Sequence, residues 1–130
     1  VNYSDAQCER VASHATSEHR RLLIVEPVRL LRWSLSRYLS QWFDVEAVAT
    51  SQDAESVFDN GDVAAVLVSD ALPGYGACRV EKRARDIKKC TRIVRMVAHP
   101  VADRMQDGLV RHIEKPFELG EMKKLLQETP

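Results

Sequence analysis

Glu26, Ser69, Asp70, Val97 and Lys115 stand at the carboxyl ends of four apolar runs, and what they can do together bounds the chemistry open to this chain. Two carboxylates and a lysine converging on one crevice can hold a hard divalent cation and an anion, because oxygen ligands suit Mg²⁺ and an ammonium suits a phosphoryl group. The same residue types also make a carboxylate–lysine pair that merely closes the crevice. Composition leaves both open.

The elements that must position these residues are legible from periodicity. Leu22 to Val25 is an apolar run ending in Glu26-Pro27, and Val63 to Asp70, Arg92 to Ala98 and Val110 to Pro116 repeat the design. Near-continuous apolar runs are what strands covered on both faces look like, and the carboxyl ends of such strands form the crevice where sites are built. Leu31, Leu35, Leu39 and Trp42, with Tyr38 beside them, predict an amphipathic helix that starts at Pro27 and runs to about Phe43. Trp33 lies off that stripe. With Arg37 it marks either a docking surface or one of the singly exposed apolar residues common on any protein.

Val45, Ala47 and Ala49 predict a short strand, and Thr50 or Ser51 caps a brief helix that the Asn60-Gly61 turn ends. Leu72-Pro73-Gly74-Tyr75-Gly76 must be a loop. Ala77, Val80, Ala84 and Ile87 form the apolar stripe of the next helix. Its other faces carry Arg79, Lys82, Arg83, Arg85, Lys88 and Lys89, offset by Glu81 and Asp86, either as a solvated face or as a patch for an acidic partner. Arg95 interrupts an otherwise apolar strand and must snorkel, pair, or sit where the sheet is thinly covered. Val101 to Leu109 has room only for a short, weak helix; Leu119, Met122, Leu125 and Leu126 line a terminal one. The expected fold is α/β, an open five-stranded parallel sheet with helices on both faces.

At 130 residues the chain fits one domain with one core. Its 19 basic and 19 acidic side chains cancel, which removes any global electrostatic reason to bind nucleic acid or an anionic membrane. Cys8, Cys78 and Cys90 are odd in number and match no metal spacing, so a reducing compartment is expected. No apolar run reaches the roughly 18 residues of a membrane span. His14 and His19 lack the cysteine or carboxylate companions of a metal site, and His99 reads as an ordinary loop histidine. Residues 1–20 read as a linker or tether and 21–130 as the domain. A Gly-x-Gly-x-x-Gly turn, a Walker-type loop and a Gly-x-Ser-x-Gly elbow are all missing, which disfavours dinucleotide binders, P-loop proteins and hydrolases.

The succession Leu22-Leu23-Ile24-Val25-Glu26-Pro27, Val66-Leu67-Val68-Ser69-Asp70-Ala71-Leu72-Pro73-Gly74, Val97-Ala98-His99 and Glu114-Lys115-Pro116-Phe117 resembles the receiver domain of two-component response regulators over about Arg21 to Thr129. The resemblance implies the flavodoxin-like (βα)5 fold. It also implies two adjacent acids ending the first strand and an aspartate four residues before the loop proline that takes a phosphoryl group from histidine. A Ser or Thr on the fourth strand and the lysine before a proline sense that group, and an aromatic on the fifth strand responds.

Matched residue by residue, Glu26 is the first acid, but Pro27 replaces the second and Ser69 the acceptor. Val97 replaces the hydroxyl residue, His112 the switching aromatic, and Lys115 alone of the phosphate-handling set remains. Between Val97 and Lys115 the chain is about one helical turn shorter than the family, so the fourth helix is expected to be shortened. By the resemblance, Pro116 follows a cis peptide.

These departures describe a pseudo-receiver without catalytic residues, metal or cofactor. It would regulate a histidine kinase or phosphorelay by contacts with protein domains in the same chain or in trans. Trp33, Arg37, Arg104 and Met105 are the candidate surface. Small-molecule substrates, nucleic acid and membrane contact are not expected, and the expected location is cytoplasmic, including as part of a membrane-anchored sensor kinase. Two alternatives stay open. Asp70, turned inward by a bulge, would make a weakly active Mg²⁺-dependent acceptor; or the domain would regulate a transcription factor without phosphorylation.

Overall fold

A computed structural model of the chain describes residues 20–87, 91–98 and 110–127. Five parallel strands, β1 (Arg20–Val25), β2 (Phe43–Val48), β3 (Ala65–Ser69), β4 (Arg92–Val97) and β5 (Val110–Glu114), form one sheet in the order β2-β1-β3-β4-β5. Four helices are described: α1 (Arg29–Leu39), α2 (Ser51–Asp59), α3 (Gly76–Ile87) and α4 (Leu119–Gln127). The expected doubly covered parallel sheet is present, and β3 and β4 are its most buried strands, with the apolar run Leu22–Val25 of β1 buried beside them.

Strand alternation divides the core in two. Leu22, Ile24, Leu67, Val94 and Met96 pack with Leu35 and Leu39 of α1 and Met122 and Leu126 of α4. Leu23, Val25, Val66, Val68 and Ile93 pack on the opposite face with Ala54, Val57 and Phe58 of α2 and Ala77, Val80 and Ala84 of α3. Thr50 caps α2 by accepting from Asp53 N at 3.0 Å. Gly74 in the β3–α3 loop holds φ +62°, the left-handed region in which a side chain is strained.

Four boundaries differ from expectation. Helix α1 ends at Leu39, not near Phe43, because Phe43 is needed as the first residue of β2, opposite Arg20. Trp42 therefore lies in the connecting turn although it continues the helical spacing. Strand β2 runs from Phe43 to Val48 rather than from Val45 to Ala49. Pro27 is not the first helical residue: Val28 is the N-cap, and Pro27 precedes it. Strand β1 takes in Arg20, the last residue of the expected tether; residues 1–19 lie outside the described residues, as does the short segment from Val101 to Leu109. Among the described residues no helix is long and apolar enough to cross a membrane.

Candidate functional site

The hydrogen-bond ladder carries the relevant strand ends to one rim. Glu26 N donates to Val48 O (3.0 Å), Asp70 N to Met96 O (2.8 Å) and Lys115 N to Val97 O (2.8 Å), each extending a parallel pairing by one residue. Alternation then fixes the faces. Glu26 follows Leu22 and Ile24 to the α1 side, and Ser69 follows Ala65 and Leu67 to the same side. Asp70 takes the opposite face.

On the α1 side, three residues form a closed cluster. The Lys115 ammonium donates to Glu26 Oε1 at 2.8 Å and to Ser69 Oγ at 3.1 Å. Glu26 is fully buried, and its second oxygen, Oε2, accepts from Val28 N at the start of α1 (2.9 Å). A buried carboxylate is costly unless paired and hydrogen-bonded. Here an ammonium meets one oxygen, and the positive end of a helix meets the other. Arg32 secures the turn by donating to the Glu26 carbonyl at 2.8 Å. Ser69, also fully buried, accepts from Ala71 N at 3.1 Å as well as from Lys115.

This arrangement does not fit the Mg²⁺ that the resemblance to receiver domains implies. Pro27 offers no side-chain donor, both Glu26 oxygens are occupied, and the Ser69 hydroxyl is neutral and already accepts twice. Val97 is buried at the end of β4 and brings only a methyl surface. Among the described residues no group of three or more His, Cys, Asp or Glu could hold a metal ion. Nor is the Ser69–Lys115 contact a nucleophile–base pair, because the lysine is an ammonium donating to Glu26 as well as to the hydroxyl. Lys115-Pro116 is a cis peptide bond.

Asp70 does not join Glu26 and Lys115. Its carboxylate accepts from Arg95 Nη1 at 3.4 Å, on the α3 face of the sheet. Arg95 answers the puzzle of a cation in an apolar strand. Its guanidinium donates from Nε and Nη2 to Glu81 of α3, at 2.5 and 2.6 Å, in a two-pronged pair, and from Nη2 to Cys78 Sγ at 3.5 Å. The bond to Glu81 pushes the Arg95 pKa further up, more than offsetting the opposing effect of burial. Glu81 is thus a core-facing residue, not part of the solvated side of the basic helix. Its spacing from Ala77 and Ala84 carried that signal. Arg83 is likewise spent within the fold, on Glu55 and Asp59 of α2.

His112 sits on β5 in register with Arg95, half-buried. Trp33 and Arg37 are exposed on α1, with the guanidinium over the indole at 5.5 Å. Arg104 and Met105 lie outside the described residues, as do His14, His19, His99, Lys88 and Lys89.

No family model matches the chain, and no curated protein matches it. Solved structures do. A response regulator receiver protein from Sinorhizobium medicae is 20% identical with a TM-score of 0.76, over 85% of this chain and 94% of that one. A chemotaxis protein from Vibrio cholerae is 19% identical with a TM-score of 0.77, over 86% and 99%. The signal receiver domain of an HD domain-containing protein from Pseudomonas fluorescens is 17% identical with a TM-score of 0.74, over 86% and 94%. At such identities the likeness is one of fold. This chain therefore has the fold of a CheY-like response-regulator receiver domain, with a buried serine where the phosphoacceptor aspartate of a receiver is expected.

Proposed function

We propose that this chain is a receiver-fold signalling module that has given up phosphoryl transfer and regulates a histidine kinase or phosphorelay through protein–protein contacts. The observation that carries the reading is the Lys115 ammonium held at once by Glu26 and Ser69. In that arrangement the crevice is charge-balanced by its own side chains, one carboxylate against one ammonium. It needs neither a cation nor a phosphoryl group to complete it. What remains of a receiver is then its outer surface, and a fixed surface acts by binding. The Asp70 alternative loses support, because that carboxylate lies on the far face against Arg95 and could reach the lysine only by breaking the β3–β4 ladder at Asp70 N.

The test is removal of the chain from its source cell, with pathway phosphorylation as the readout. Deletion is expected to change the steady phosphorylation of the kinase pathway, and Asp70→Asn is expected to leave it as in the wild type. Unchanged phosphorylation after deletion would remove the regulatory claim; an Asp70→Asn effect equal to deletion would return the aspartate to an acceptor role.

A further inference from the structure

The surface by which such a module would bind is marked on α1. Val28, Leu30 and Trp33 are exposed by 53, 72 and 58%, so among the described residues three of the five large apolar side chains left in solvent sit at the start of this helix. Leu30, Trp33, Ser34 and Arg37 follow helical spacing along one outer stripe of α1, and Gln41 continues it in the turn that follows. Trp33, Ser34, Arg37, Tyr38 and Gln41 line an open groove.

The groove, lined by Trp33, Arg37 and Tyr38, and its border at Trp42 and Lys123 are aromatic and cationic together. Arg37 lies over the Trp33 ring at 5.5 Å; Tyr38 meets Trp42 edge to face at 5.0 Å; Lys123 of α4 lies over the Trp42 ring at 4.0 Å. Helix α1 carries three arginines and no acid. Of these, Arg32 is turned inward to the Glu26 carbonyl, whereas Arg37 stacks on an indole rather than on a carboxylate.

We infer that this groove docks an acidic amphipathic helix of a partner protein, an inference that rests on the protein-binding reading above. A ridge at helical spacing beside a groove is complementary to a second helix. Tryptophan, tyrosine and arginine are the side chains that dominate interface energetics. Charge chooses the partner's sign: with Arg37 and Lys123 flanking the aromatics, carboxylates bordering the partner's apolar stripe complete the match. Single-stranded nucleic acid is the poorer fit. A cation already covers each indole on which a base would stack, and the chain as a whole carries no net charge.

The probe is a synthetic amphipathic helix with a leucine stripe bordered by glutamates, alongside a twin bordered by lysines. Each is titrated into the full 130-residue chain and followed by tryptophan fluorescence and amide shifts. The glutamate peptide is expected to bind with shifts confined to α1, Trp42 and the Lys123 turn. The lysine twin, and the variants Trp33→Ala and Arg37→Glu, should each bind at least about tenfold more weakly, and Arg37→Glu should prefer the lysine twin. Both side chains are exposed, so unchanged thermal midpoints will show that the variants fold.

Equal binding of the two peptides, shifts centred elsewhere, displacement by oligothymidylate, or self-association of the chain through α1 would each overturn the assignment. Failure of the peptide beside a clear deletion effect on the pathway would locate the fault in the surface alone. Peptide binding as expected beside no deletion effect would locate it in the regulatory reading alone.

Discussion

Replacing Lys115 by methionine tests the closed crevice where its energy is concentrated. The substitution keeps most of the aliphatic stem and removes the ammonium, leaving Glu26 fully buried with only Val28 N as a partner. Breaking a buried ion pair from one side costs about 3–5 kcal/mol. The Lys115 side chain is 23% exposed, and Glu26 retains one hydrogen bond, so the expected loss falls at or somewhat below the lower end of that range, about 2–3 kcal/mol. For 130 residues at about 2.1 cal/mol/K each, 1 kcal/mol is ~4 °C, which puts the midpoint of Lys115→Met about 7–11 °C below wild type.

The double variant Glu26→Gln with Lys115→Met supplies the control, because it removes the stranded charge while the amide oxygen can still accept from Val28 N. It should recover more than half of the loss. Thermal and urea unfolding read both numbers. A Lys115→Met midpoint within about 2 °C of wild type, or a double variant as unstable as the single one, would refute the argument, since the first would mean that Glu26 does not depend on the ammonium and the second that only packing was lost.

The Arg95–Glu81 pair should behave in the same asymmetric way. Arg95→Met alone strands a buried carboxylate and is expected to cost about 3 kcal/mol in urea unfolding, whereas Arg95→Met with Glu81→Leu should be close to neutral. Because pairing raises the Arg95 pKa, its stabilisation is complete below the ordinary arginine range and is lost only as pH rises beyond it. The difference between wild type and the Arg95→Met, Glu81→Leu double variant should therefore be flat from about pH 5 to 9, as pH-dependent urea unfolding will show. Gly74→Ala places a side chain at φ +62° and should lower stability by about 1 kcal/mol, although the added methyl meets nothing within 4 Å.

How far the sequence reaches is clear from particular residues. The strands were legible because burial on both faces demands unbroken apolar runs, and Ser69 and Pro27 announced the altered crevice because their side chains lack a carboxylate. Arg95 announced the need for a partner, and the spacing of Glu81 from Ala77 and Ala84 was the signal for which of the two acids of α3 turns inward, a signal masked by the four basic residues of that helix. The end of α1 was misread because Trp42 keeps the spacing of a helix while Phe43 answers to the register of the sheet, a long-range demand invisible to a local pattern. Asp70 is resolved by alternation: adjacent strand residues face opposite ways, so Ser69 in the crevice places Asp70 outside it.

The most direct test of a crevice closed by its own side chains is exposure of the chain to a small acyl-phosphate donor with Mg²⁺, scored for hydroxylamine-sensitive phosphate on the intact protein by mass spectrometry. No aspartyl phosphate should form, and the amides of Glu26, Ser69, Asp70 and Lys115 should keep their shifts when beryllofluoride replaces the donor. A stable phosphate adduct that disappears in Asp70→Asn would contradict the account.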